Sequence, residues 1–223
     1  SPGVFVLKDG IPNNTKDRNN IQPGDMKLRD VNGDGKVTPE DQTVIGHGLP
    51  VHIGGFTNNF EYKGFDLSVF FQWSYGNDVI NYNRYKLENM TSRNSNLLAS
   101  AKDHWTPRID NGDGTYTEGN YTNYLCRVKG DIGNINTSRV VEDASFLRLK
   151  NVQLGYNFPV KLIKRLGISS LRLYVSGQNL WTWTKYTGYD PEVSTRNSAL
   201  TRGFDYSAYP KTTSYTFGVK LGL

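Results

Sequence analysis

The sequence contains a single cysteine, Cys126, which excludes a disulfide framework and a CxxC metal site. It also lacks any run of about 18 apolar residues, so no helix of this chain can cross a bilayer. Membrane-crossing strands leave a far weaker trace, segments of about ten alternating residues, and are not excluded. The formal charge is +5, but lysine and arginine are scattered. Without a basic stripe, nucleic acid has no electrostatic footprint to bind, and no nucleic-acid partner is expected. The opening SPGVFVLKDG has neither the basic region nor the cleavage signal of a secretory peptide and reads as a strand already under way.

Catalytic signatures are missing as well. There is no nucleophile elbow, phosphate loop or HExxH. His47 and His52 sit among glycine and proline, so no helix presents them together as a zinc pair, and His104 stands alone. Glu40 with Asp41, and Glu142 with Asp143, are sequence neighbours whose carboxylates would diverge on a strand. The chain reads as a non-enzyme.

What the sequence does have is aromatic residues (13%), 23 glycines and period-two alternation. In FDLSVFFQWSY, Phe65, Leu67, Val69, Phe71, Trp73 and Tyr75 share one face, opposite Asp66, Ser68, Gln72 and Ser74. NVQLGYNF sets Val152, Leu154, Tyr156 and Phe158 against Asn151, Gln153, Gly155 and Asn157. LRLYVSGQ and the final YTFGVKLGL alternate in the same way, and a less regular strand covers about residues 51 to 62.

The connections alternate too. EYKGF is a tight hairpin with Lys63-Gly64 at its tip, and PVKLIKRLG is a modest link holding a helical turn or two after Pro159. Against these stand long loops at residues 8–50, 76–143 and 183–212. Soluble domains rarely carry such loops. Outer-membrane barrels do, with short periplasmic turns and long extracellular loops. The polar faces suit a wet lumen, and aromatic residues at the ends of the apolar faces suit girdles at the lipid boundary. The expected fold is therefore all-β, an antiparallel transmembrane β-barrel segment. With GVFVL included, about six strands can be counted, where the smallest barrels need about eight. Open edges cannot sit in lipid, so the chain is expected to be the C-terminal portion of a larger barrel.

Three segments carry a family resemblance. QPGDMKLRDVNGDGKVTPEDQTVIGHGLP, ASFLRLKNVQLGYNFP, and VSGQNLWTWTKYTGYDPEV followed by YPKTTSYTFGVKLGL stand in the order found in the SusC/RagA-type TonB-dependent outer-membrane transporters, which the chain resembles from end to end. The resemblance implies a barrel of about 22 strands filled by an N-terminal plug. It also implies a SusD-type surface lipoprotein partner, glycan or peptide cargo, and energy from TonB acting on a part not in this sequence. The chain ends in Leu223, where such barrels commonly end in an aromatic residue.

DVNGDGKVTPED, residues 30–41, has the register of a calcium loop: Asp30, Asn32 and Asp34 at the first, third and fifth positions, Gly35 at the sixth, the Lys36 carbonyl at the seventh, Thr38 at the ninth and Asp41 at the twelfth. Oxygen ligands at those positions and a glycine for the sharp turn suit a hard cation, so Ca2+ is the expected structural cofactor. An Asx-rich turn without metal is the competing reading. Thr38-Pro39 announces a short helix behind it. DNGDGTYTEG, residues 110–119, is out of register and is expected to form a hairpin-like turn. Trp181 and Trp183 fit a girdle better than a sugar platform, and Tyr186 and Tyr189 fit loop structure. The sequence does not reveal the transported substrate. The alternative function is a secreted, calcium-stabilised β-domain that binds carbohydrate.

Overall fold

The computed structural model describes residues 3–4, 23–35, 37–90, 94–122, 124–128, 137–192 and 203–223. Two compact units form, one from Ser1–Gly46 with Ile80–Val141, the other from His47–Val79 with Glu142–Leu223.

The second unit is built on a five-stranded antiparallel sheet: β1 (His52–Tyr62), β2 (Phe65–Tyr75), β3 (Phe146–Asn157), β4 (Ser170–Thr184) and β5 (Ser214–Gly222). Spatial order equals chain order, an up-and-down meander. β1 and β2 are joined at Lys63-Gly64, where φ is +47° and +89°. Positive φ at both central residues defines the type I′ turn, whose twist matches paired strands. β3 and β4 are joined by residues 158–169, which contain the helical turns Val160–Ile163 and Lys164–Leu166. Both short connections lie at the same end of the sheet. The β2–β3 and β4–β5 connections leave the strands at the other end.

Register aligns the apolar residues into rows across all five strands. One row runs Tyr62, Phe65, Tyr156, Leu173, Val219; the next runs Phe60, Leu67, Leu154, Val175, Phe217. On the opposite face a matching row runs Asn59, Ser68, Gln153, Ser176, Thr216. The apolar face is uncovered: Phe217 is 81% exposed and Trp181 61%. Aromatic residues mark both of its ends, with Phe65, Tyr156 and Phe158 in contact at one and Trp73 beside the stacked pair His52 and Tyr75 at the other.

Among the described residues the sheet holds five strands; Gly3–Val4 pairs with Met26–Lys27, and the rest of the opening stretch, counted above towards a sixth strand, lies outside the described residues. β3 and β4 are longer than alternation indicates. Their register shifts where Lys150 faces Asn179 and Leu180, with Asn179 at φ +52°. The bulge moves Leu147 and Leu149 onto the apolar face against the phase set by Val152 and Leu154, where they pair with Trp181 and Trp183, which keep the phase of Leu173 and Val175.

In the first unit, the long segment expected to be loop contains an α-helix, α1 (Tyr82–Glu88), capped by Asn81, whose side chain accepts the Arg84 N–H at 3.1 Å. The Glu88 carboxylate is buried and accepts from Arg84, Arg139, Ser100 and Tyr124 at 2.7–3.2 Å. Such a buried charge is tolerable because every contact is a donor.

Candidate functional site

The polar face of the sheet carries a charged cluster at the long-connection end. Arg148 on β3 is 2% exposed. Its Nη2 donates to Asp190 Oδ1 at 2.6 Å, Nη1 to Glu192 Oε2 at 3.2 Å and Nε to Thr182 Oγ1 at 2.9 Å. Glu192 also meets the Lys211 ammonium and, at 3.4 Å, the Gln72 amide. The Asp190-Pro191 turn is closed by the Glu192 N–H donating to Asp190 Oδ1 at 2.9 Å, and the Lys211 N–H reaches Oδ2 at 3.2 Å. Burial opposes ionisation of Asp190, but the guanidinium and the two N–H groups outweigh it and hold the carboxyl below the usual range.

The preceding residues fold into a strap. Tyr186 is buried and donates to Asp205 Oδ2 at 2.6 Å; burial, then this bond, raises its phenol far above the ordinary value. Thr187 is tied to the Glu142 carboxylate through its N–H and hydroxyl, both at 2.8 Å. Tyr189 stays exposed. Arg148, Lys211, Asp190 and Glu192 pair with one another, so what the cluster offers is docking of a loop onto the sheet.

Loop 30–41 folds around its two end carboxylates. Asp30 accepts the N–H groups of Gly33 and Gly35 at 2.6 and 2.8 Å, and Asn32 accepts that of Asp34 at 2.9 Å. Gly33 and Gly35 take φ of +78° and +81°, values that favour glycine. Asp41 accepts from Val31, Asn32 and Thr38 and completes a capping box with Thr38 ahead of the 3-10 turn Pro39–Asp41. These N–H groups, first Thr38 and then Val31, hold its carboxyl below the usual carboxylate range. Lys36 lies outside the described residues. Among the described residues no three acidic, histidine or cysteine side chains converge as metal ligands. Asp30, Asp34 and Asp41 therefore do not form such a group.

The remaining candidates separate. His52 accepts the Trp73 indole N–H at 3.2 Å. His104 Nδ1 lies 2.9 Å from the Ala101 carbonyl. Ile109–Asp110 pairs with Tyr116–Thr117 as the expected hairpin. Trp181 and Trp183 stand on the exposed apolar face.

No family model matches the chain. Among curated proteins it is 36% identical over 204 residues to TonB-dependent receptor P3 of Formosa agariphila, an alignment covering 89% of this chain and 19% of that protein. TonB-dependent receptor P39 of the same organism is 34% identical, with 90% and 19% covered. The chain belongs to the SusC/RagA-type TonB-dependent receptors. SusC of Bacteroides thetaiotaomicron is 26% identical over 209 residues. Among solved structures, that of the RagAB peptide transporter superposes with a TM-score of 0.62 at 29% identity, covering 78% of this chain and 17% of that one. The RagAB peptide importer in its closed-closed state gives 0.64 at 25%, covering 89% and 21%. The receptor chain thus spans about a fifth of the length of the curated relatives it matches. Proteins of this family are outer-membrane β-barrels.

Sequence reasoning singled out the RLKN and YDPEV segments of this receptor without relating them. The structure joins them through Arg148, Asp190 and Glu192. An arginine among apolar residues at the start of a strand was the available signal.

Proposed function

We propose that the chain is a C-terminal section of the barrel wall of an energy-coupled outer-membrane importer. Its apolar face meets lipid, its polar face meets the lumen, its short turns are periplasmic and its long connections extracellular. The observation that carries this reading is the uncovered apolar face with aromatic residues at both ends. Phe65 and Trp73 stand about 26 Å apart along the strand, or about 20 Å along the normal at a tilt of about 40°, commensurate with an apolar band of about 25 Å. A soluble sandwich would cover that face with a second sheet; among the described residues it stays bare. That weighs against the secreted carbohydrate-binding domain.

The complete receptor takes up glycans or peptides with a SusD-type surface lipoprotein, drawing energy from TonB through its other parts. Membership and the likeness to RagAB support this. Loop 30–41 is a calcium clip held by Asp30, Asn32, Asp34, the Lys36 carbonyl, Thr38 and Asp41, stiffening an extracellular loop; its sequence register supports that role. An epitope inserted between Gly112 and Asp113 of the full-length receptor tests the orientation. Antibody labelling of intact cells is the expected result, and labelling only after permeabilisation would refute the topology.

A further inference from the structure

The β3–β4 connection has a feature the barrel reading does not use. Its sequence, PVKLIKRLG, forms the turns Val160–Ile163 and Lys164–Leu166, closed by Gly167 at φ +73°. Helical spacing gathers Val160, Leu162, Ile163 and Leu166 on one arc and Lys161, Lys164 and Arg165 on the other. Ile163 is buried against the protein, but Val160, Leu162 and Leu166 are 57%, 68% and 73% exposed. All three basic residues are exposed. No acidic residue occurs between Asp143 and Asp190, and both of these lie at the opposite end of the sheet. The turns begin immediately beyond Phe158, whose ring packs on Tyr156 at 4.9 Å at one end of the apolar face. An amphipathic basic element continuous with a lipid-facing aromatic row has the chemistry of a boundary helix.

We propose that this element lies in the headgroup layer of the short-turn leaflet, with Leu162 and Leu166 in the acyl boundary and Lys161, Lys164 and Arg165 on the phosphates of acidic phospholipid. The proposal rests on the barrel reading above. Lys63 is exposed at the neighbouring turn of the same end, between Glu61 and Asp66, so the basic charge of this end is concentrated on the β3–β4 connection.

The test is hydrogen exchange of the full-length receptor in nanodiscs of phosphatidylcholine alone and of phosphatidylcholine with phosphatidylglycerol at three to one. Exchange across 160–167 is expected to slow about tenfold with the acidic lipid, because an anionic surface attracts the basic residues, while the β-strands keep their rates. K161Q/K164Q/R165Q should lose the difference, and K161R/K164R/R165K should keep it. Equal exchange in both lipids, or an undiminished difference in the glutamine variant, would overturn the proposal. A receptor that fails to enter nanodiscs at all would instead overturn the transmembrane reading, and this proposal with it.

Discussion

Arg148 and Asp190 meet at 2.6 Å with both residues almost fully buried, pinning the β4–β5 connection to the polar face of the sheet. The pair joins two segments separated by 42 positions, so docking of the loop and register of the strand depend on one another.

Removing one partner leaves the other charge buried and unpaired, which costs about 3 kcal/mol or more. Arg148→Gln in the full-length receptor should therefore release residues 203–213, read as faster tryptic cleavage after Lys211. The double variant R148M/D190L should recover part of the loss, since an apolar pair removes both charges. Unchanged cleavage in R148Q would show that the pair does not hold the loop.

Because Asp190 is held below its ordinary value, its proton binds more weakly when the loop is docked. Its contribution is complete above the unfolded carboxylate value of about 3.9 and is lost as pH falls through the lower folded value. Cleavage after Lys211, followed after brief acid pulses, should stay slow at pH 5 and rise only below about pH 4. Asp190→Asn should cleave at one rate throughout, having lost the titrating group.

If loop 30–41 binds calcium, the full-length receptor should melt higher with calcium than with chelator, and Asp34→Ala should abolish the difference. Equal calcium shifts in the two proteins would leave the Asx-turn network of Asp30, Asn32 and Asp41 as the whole account.

The β1–β2 turn makes a backbone prediction. Gly64→Val forces a β-branched residue to φ +89° and sets its Cβ 2.8 Å from the Asn157 carbonyl. A loss of about 2 kcal/mol follows from the strain alone. Lys63→Asn, suited to φ +47°, should stabilise by about 0.5 kcal/mol. Heat-modifiable gel mobility of the refolded receptor measures both.

The sheet was legible because its strands alternate and its hairpin advertises Lys63-Gly64. Where pairing slips, the period-two signal stops: the bulge at Lys150 reverses the faces along β3, so Leu147 and Leu149 could not be assigned from alternation, whereas Trp181 and Trp183 keep the phase of their strand. Helix α1 was missed because its stability comes from tertiary anchors on Glu88 rather than from local propensity. Asp190 and Glu192 lay within a recognised segment, but their role depends on a distant arginine, which only folding brings near.

The most direct test of the central claim is a nitroxide scan along β5 of the full-length receptor in phospholipid vesicles, comparing collision with oxygen and with a water-soluble nickel complex. Labels at Tyr215, Phe217, Val219 and Leu221 should favour oxygen, and labels at Thr216 and Lys220 should favour nickel, alternating residue by residue. Nickel accessibility at all six positions would mean that the apolar face does not meet lipid, and the barrel-wall account would fall.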